Sequence, residues 1–187
     1  MDENRKKHSF AVAERMKEYT KKYPYFGKYL DPDDMFFLGL IHDIGREFEN
    51  DDNSKYRTID EEYPKKGKIT NHEATGAPFL RMQTNSGIIG LKNAQYLYAE
   101  AVEHHGDPYY QYISEYETTE PWKLAMNRAV QLLQYVDMTT DYDGTYVTLS
   151  ERCEGVGKRH GFNSEEHKNC VLLAKRLEWV IKSVCIE

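Results

Sequence analysis

One stretch of the chain reads DPDDMFFLGLIHDIG from residue 31 to residue 45, and its pattern is that of a buried helix. An aspartate before Pro32 is the pattern of a helix cap followed by the first helical residue. The seven residues Met35–Ile41 are apolar or glycine, which predicts a helix covered on nearly all sides. Two polar side chains, His42 and Asp43, follow directly. We therefore predict a central, buried helix that carries a histidine and a carboxylate into the interior, and that stops near Gly45.

Helix start and stop signals recur along the chain, and almost no stretch shows the alternation of a half-buried strand. We expect an all-α fold in a single domain covering residues 1–187. Residues 49–68 are polar and contain Pro64 and Gly67, so we interpret them as a long loop or lid. The other predicted helices cover Asn4–Tyr19, a segment from a capping box at Thr70–Glu73 that Pro78 kinks or ends, a helix ending at Gly106, Pro121–Asp137, a helix from a capping box at Thr148–Glu151 to His160, and a last helix from about Ser164.

The composition and charge of the chain reduce the number of functional classes that fit this protein. The chain has 187 residues, 40% of them hydrophobic, with a net charge of -6. An acidic balance argues against a nucleic-acid scaffold, which carries a basic face. No apolar run reaches the ~20 residues of a membrane span, and the charged start lacks a secretion signal, so we expect a cytoplasmic protein without membrane contact. Three cysteines without a CxxC pair argue against a disulfide framework and favour simple helix packing.

The positions of the histidines carry the most information. Intervals of 34, 30 and 32 residues separate His8, His42, His72 and His104, and Asp137 lies 32 residues after His105. Each candidate ligand therefore belongs to a different successive helix, and bundled helices can bring them to one point. Imidazole and carboxylate ligands without a nearby thiolate favour a divalent transition metal over Mg²⁺.

Each of these residues also has a plain structural interpretation. His8 could be an ordinary residue of the first helix, His72 a polar residue in a capped first turn, and Asp137 a carboxylate at a helix end. The pair His42 and Asp43 is different, because an uncompensated buried carboxylate costs several kcal/mol. Arg46 is the one basic residue close to that pair along the chain. A metal ion is therefore the simplest compensation for the Asp43 charge.

These residues in this order resemble the H…HD…H…HH…D series of the HD-domain phosphohydrolase superfamily. The local contexts agree as well, including His42-Asp43-Ile44-Gly45, His72 within Asn-His-Glu-Ala-Thr-Gly-Ala, and Asp137 after Leu-Leu-Gln-Tyr-Val. In length and ligand number the chain is most similar to small bacterial HD hydrolases that include symmetrical diadenosine-tetraphosphate hydrolases. The Gly-Tyr-Pro element of the cyclic-dinucleotide branch and the His-Asp-Glu-Asp signature of the alarmone hydrolases do not occur in the sequence.

The resemblance implies an all-α HD-domain bundle with a central metal site. By that resemblance, the first metal is held by His8, His42, Asp43 and Asp137, and the second by His72, His104 and His105, with Asp43 bridging. The implied cofactors are one or two divalent ions, with Fe or Mn the first choice and Zn, Ni or Co also compatible. Asp43 and Arg46 are the candidate catalytic residues, Arg46 as a bidentate donor to phosphate or simply as a partner of Glu47 or Glu49. Arg159 is a further phosphate candidate, and Glu73, Glu103 and Asp107 are candidates to orient the ligands.

The expected function is metal-dependent hydrolysis of a phosphate ester or anhydride in a nucleotide-like small molecule, by water activated at a binuclear centre. The alternative from another class is a non-catalytic HD module that binds a nucleotide or metal and reports it to a partner. A closed structural metal site and oxidative di-iron chemistry are further alternatives, whereas no Gly-x-Ser-x-Gly element supports a serine hydrolase. The sequence leaves open whether the protein forms a homodimer.

Overall fold

The computed structural model describes residues 3–48, 72–85, 94–113 and 117–184, and this part of the chain is helical apart from its connecting turns. The predicted loop at residues 49–68 and the start of the Thr70–Glu73 capping box lie outside the described residues. The α-helices are α1 (Glu3–Lys22), α2 (Pro24–Gly27), α3 (Pro32–Ile41), α4 (His72–Asn85), α5 (Ala94–His104), α6 (Pro121–Met138), α7 (Leu149–His160) and α8 (Glu165–Val184).

Local capping explains several helix boundaries. The Asp31 side chain accepts hydrogen bonds from the backbone N–H groups of Asp33 and Asp34 and so starts α3 as predicted. At α7 both bonds of the capping box between Thr148 and Glu151 are present. Helix α3 ends at Ile41, and a 3₁₀ helix covers Ile44–Phe48, so His42 and Asp43 occupy the turn between the two elements.

Helix α4 continues through Pro78 to Asn85, so Pro78 does not end it. The short helix α2 has no counterpart among the predicted elements.

The helices pack both against helices adjacent in sequence and against helices farther along the chain. Helix α1 packs against α3 and α6, α4 against α5 and the 3₁₀ helix, α5 against α6, and α7 against α8. Tight contact between α1 and α3 depends on Gly39, because a Cβ built there would lie 2.5 Å from Cα of Ala13. This close approach brings the start of α1 next to the end of α3, where His42 lies.

The most buried helix is α6 rather than α3, so the predicted central position of α3 is wrong. Twelve of the 18 residues of α6 are buried, whereas α3 buries Met35, Leu38 and Gly39. The buried residues of α6 include polar side chains that are hydrogen-bonded. Asn127 exchanges two bonds with the backbone of Ile113, at 2.8 and 3.0 Å. Such polar positions hide the burial of α6 from a hydrophobicity pattern.

The turn after α6 is tied to α1. Arg15 donates to the carbonyl of Thr139 at 2.9 Å and to the hydroxyl of Thr140 at 2.7 Å. Gly144 in this turn has φ +88° and lies against the backbone of Lys7, which only glycine accommodates without strain. The turn therefore holds the end of α6, with Asp137, beside the first helix. No helix among the described residues combines the length and the apolar character needed to cross a bilayer.

Candidate metal centre

His8 on α1 faces Asp137 at the end of α6. Its Nδ1 donates to the backbone carbonyl of Asp141 at 3.0 Å, and its Nε2 lies 2.9 Å from Oδ1 of Asp137. The carbonyl fixes the proton on Nδ1, because a carbonyl oxygen only accepts hydrogen bonds. Nε2 therefore faces the carboxylate, and a proton on Nε2 or a cation between the two atoms completes this contact.

His42 is completely buried directly after α3. Its Nδ1 donates to the carbonyl of Gly39 at 2.7 Å. Its buried Nε2 has no hydrogen-bond partner among the described residues and lies 3.6 Å from Oδ1 of Asp137 and 3.9 Å from Oδ1 of Asp43. A buried polar atom is normally satisfied, so this nitrogen marks a place where the protein alone does not complete the bonding.

Asp43 is the point where the remaining histidines meet. Oδ1 of Asp43 lies 3.0 Å from Nε2 of His72, on α4, and 3.9 Å from Nε2 of His105, just after α5. The two imidazole Nε2 atoms are 3.1 Å apart. His105 donates its Nδ1 proton to the carbonyl of Val102 at 2.7 Å. Its Nε2 is thus another lone pair directed at the same carboxylate.

His8, His42 and His105 share one hydrogen-bonding pattern. In each, Nδ1 is bonded to a backbone carbonyl and Nε2 faces a carboxylate. Metal-binding histidines are usually oriented in this way, because the bond at one nitrogen sets the tautomer and the ring direction for the other. The backbone therefore orients three imidazole Nε2 atoms toward one small volume.

The two carboxylates in this volume are held ionised. Burial alone would raise the pKa of Asp43, but the neighbouring His42, His72 and Arg46 lower it far below its usual range. For Asp137, the contacts with His42 and His8 likewise outweigh burial and hold its pKa well below the usual range. Two carboxylate charges beside several imidazoles form a donor set that suits a divalent transition metal.

A family model described as HD domain matches residues 5–140, which is most of the chain. The chain belongs to the HD-domain family. Searches of curated proteins and of solved structures found no significant match. The family consists largely of metal-dependent hydrolases, and HD domains bind divalent metals. The matched residues carry every histidine and carboxylate of the cluster described above.

The structure brings six of the seven predicted ligands together and separates His104 from them. The grouped positions are His8, His42, Asp43, His72, His105 and Asp137. His104 lies instead with Glu100 and Glu103, and its Nδ1 is 3.3 Å from Asp107. The two rings of the doublet diverge here, because Nε2 of His105 faces Asp43 whereas His104 faces Glu100 and Asp107. The expected position of His104 at the second metal therefore does not agree with the geometry.

Arg46 in this HD-domain protein donates from Nε to Oδ2 of Asp43 at 2.9 Å. The guanidinium therefore holds one oxygen of Asp43 and leaves the other, Oδ1, facing the histidines. The predicted alternative partners, the side chains of Glu47 and Glu49, lie outside what the structure describes. Of the three acidic residues expected to orient ligands, Asp107 and Glu103 lie near His104, and Glu73 lies at the cluster.

Glu73 lies closer to the cluster of histidines and aspartates than its position in the sequence suggested. It forms a group of potential ligands with His72 and His105, and its Oε1 lies 3.9 Å from Nε2 of His105. A Cβ at Gly106 would lie 2.0 Å from the same oxygen, so the glycine makes room for the carboxylate. Its adjacency to His72 was the signal available in the sequence.

A cavity of about 620 Å³ connects the cluster with the C-terminal helices. One side is formed by metal-ligand candidates such as Asp43 and Asp137. Arg152 and Arg159 from α7 also line the cavity, and both lie beyond the residues matched by the family model. Arg152, which was not among the predicted site residues, lies 4.0 Å from a carboxylate oxygen of Asp137 and 3.5 Å from one of Asp141. These two guanidinium groups thus come from a part of the chain that the family model does not match.

Proposed function

We propose that this HD-domain protein is a metal-dependent phosphohydrolase that cleaves a phosphate ester or anhydride in a nucleotide-like small molecule. One observation carries the proposal. Three backbone-oriented histidines, His8, His42 and His105, direct their Nε2 atoms toward the ionised carboxylates of Asp43 and Asp137. The unpartnered Nε2 of His42 is the atom that a purely structural cluster explains least well.

The donor set supports two metal positions. His8, His42 and Asp137 form one group of potential ligands, and His72, Glu73 and His105 form another. Asp43 lies between them, because Oδ1 faces both His42 and His72. Imidazoles and carboxylates suit Fe or Mn, and also Zn, Ni or Co. When bound, divalent ions of this kind supply Lewis acidity and a water molecule of lowered pKa.

The residues of the chain have separate tasks in this proposal. Arg46 holds Oδ2 of Asp43 and so keeps Oδ1 directed at the histidines. Arg152 and Arg159 present guanidinium groups to the cavity, where they can bind anionic phosphate oxygens. Tyr142, which also lines the cavity, offers an exposed aromatic face for a planar base. A volume of about 620 Å³ is within the range of small-molecule sites.

The test combines metal loading with turnover. The full chain is freed of metal with a chelator, reloaded with Mn²⁺ or Fe²⁺, and assayed with an aryl phosphate, nucleoside mono- and polyphosphates, dinucleoside polyphosphates and cyclic nucleotides. We expect metal-dependent release of phosphate or nucleotide from at least one substrate. His42→Ala and Asp43→Asn should abolish it. Tight nucleotide binding without turnover by any metal form would instead favour the non-catalytic HD module.

The adjacent residues His104 and His105 allow a matched comparison of metal content between two alanine variants. Metal content per chain should fall in His105→Ala, because its Nε2 faces Asp43. It should stay near the wild-type value in His104→Ala, since that ring lies with Glu100 and Glu103. Elemental analysis of both variants, with circular dichroism as a folding control, decides which histidine of the doublet belongs to the site. Equal loss of metal in the two variants would contradict the assignment.

A further inference from the structure

Two thiols lie face to face between the last two helices. Cys153 on α7 and Cys170 on α8 have their sulfur atoms 3.4 Å apart. Cys153 is half-buried, Cys170 is buried, and both are free thiols. Helices α7 and α8 pack directly against each other, so the short distance is part of their interface. The cysteine pattern in the sequence had suggested only helix packing.

We propose that Cys153 and Cys170 are a reversible oxidation site that forms an intramolecular disulfide bond between α7 and α8. A disulfide requires sulfur atoms about 2.0 Å apart. The sulfur atoms must therefore approach by about 1.4 Å from their present 3.4 Å. Side-chain adjustments at a helix interface cover such a distance without separating the helices. At this distance the two thiols are within hydrogen-bonding distance of each other, so their sulfur atoms already face one another.

A shared metal ion is a weaker explanation for the pair. Among the described residues, neither thiol belongs to a group of three or more potential metal ligands. A thiolate zinc site needs further cysteine or histidine ligands around the ion. The geometry therefore favours a bond between the two sulfur atoms over a bridging cation.

The environment indicates the order of the chemical steps. Burial raises the pKa of the Cys170 thiol to about 12, so this sulfur remains protonated. Cys153 is more exposed and is the thiol that a peroxide reaches first. Attack of its sulfur on the O–O bond of hydrogen peroxide forms a sulfenic acid and releases one water molecule. The sulfur of Cys170 then attacks the sulfenic sulfur. The S–O bond of the sulfenic acid and the S–H bond of Cys170 break, the thiol proton leaves with the hydroxyl group as a second water molecule, and the S–S bond forms.

The electrons balance in this sequence. Two thiols lose two electrons and two protons, and one peroxide molecule is reduced to two water molecules. A small-molecule thiol such as dithiothreitol reverses the reaction by exchange. Cys170 also lines the cavity that reaches the metal-ligand cluster. The disulfide would therefore tie together the two helices that form one wall of that cavity.

Peptide mapping tests the bond directly. Trypsin cleaves after Lys and Arg, so residues 153–158, 169–175 and 183–187 are released as three separate peptides, each with one cysteine. The purified full chain is treated with hydrogen peroxide, as isolated and after removal of metal by a chelator, then blocked with a maleimide and digested. We expect peptides 153–158 and 169–175 to appear linked in both samples, with their combined mass reduced by two hydrogens. Dithiothreitol should separate them.

Matched variants complete the test. Cys185→Ser should keep the linked pair, whereas Cys153→Ser and Cys170→Ser should lose it. In thermal unfolding, oxidation should raise the Tm of the wild type and of Cys185→Ser but not of Cys153→Ser. The proposal is overturned if both peptides carry maleimide after oxidation, if Cys153 proceeds to sulfinic acid instead, if the linkage involves peptide 183–187, or if the bond forms only in the metal-containing sample. None of these outcomes depends on hydrolase activity.

Discussion

Replacing Gly39 with alanine tests how the site is positioned. The new Cβ would lie 2.5 Å from Cα and 2.7 Å from N of Ala13, whereas ordinary contact begins near 3.4 Å. Both neighbours are backbone atoms of α1, so no side chain can rotate away. Helices α1 and α3 must therefore separate by about 0.9 Å at this point. His8 belongs to α1 and His42 follows α3, so the same movement separates two ligand candidates whose rings are now 5.3 Å apart.

The magnitude follows from two opposing effects. Overpacking in a close helix contact costs about 1–3 kcal/mol. Alanine in place of glycine within a helix restores roughly 1 kcal/mol. We expect Gly39→Ala to reduce the free energy of unfolding by about 0–2 kcal/mol, and to lower the apparent metal affinity roughly tenfold as the ligands move apart.

Gly155→Ala is the control. It is the same substitution in the interior of α7, and its Cβ would meet only Nη1 of Arg159, at 3.6 Å. This variant should gain roughly 0.5–1 kcal/mol from helix propensity. Urea denaturation of the metal-free proteins, followed by circular dichroism, and competition with a chelating dye measure both quantities. If the two variants were equally stable, the close contact between α1 and α3 and the reasoning built on it would be wrong.

Further predictions concern metal binding, the cavity and a helix cap. Although burial opposes its protonation, the carboxylates of Asp43 and Asp137 raise the pKa of His42 to about 9 in the metal-free protein. Below that pH His42 must lose one proton before a metal binds. The affinity for Mn²⁺ should therefore fall about tenfold for each pH unit by which the pH is lowered from about 9 to 6.5. An affinity independent of pH in metal titrations would contradict this. Arg159→Gln should raise KM for the hydrolysed phosphate compound several-fold with little change in kcat, because Arg159 lines the cavity. The control variant Lys158→Gln changes an exposed neighbour and should leave the steady-state kinetics unaltered. If both variants raised KM equally, the assignment of Arg159 to the substrate site would be wrong. Thr148→Ala removes the cap of α7 and should cost about 1 kcal/mol in urea denaturation, whereas no loss would show that the cap is dispensable.

Local signals in the sequence predicted much of the helical framework. The Asp31 cap, Pro121 at the start of α6 and the Thr148–Glu151 capping box all begin helices in the structure. These features act over three or four residues, so they can be recognised without knowing the rest of the fold. Burial was harder to predict, because the most buried helix carries polar side chains. Gln134 donates to the carbonyls of His104 and Asp107, and these partners lie about 30 residues away.

The chemical type of the candidate site could be predicted without any structure. Histidines and aspartates at regular intervals on successive helices, including His42 and Asp43 after an apolar run, already indicated metal binding. Which neighbouring side chains come together became visible only in the packed helices. The tertiary structure directs His105 inward and His104 outward, and it places Arg46 on Asp43. The reason is physical: side-chain direction at a helix end depends on which backbone carbonyls and carboxylates other helices bring within hydrogen-bonding distance, and those contacts exist only after the helices have packed.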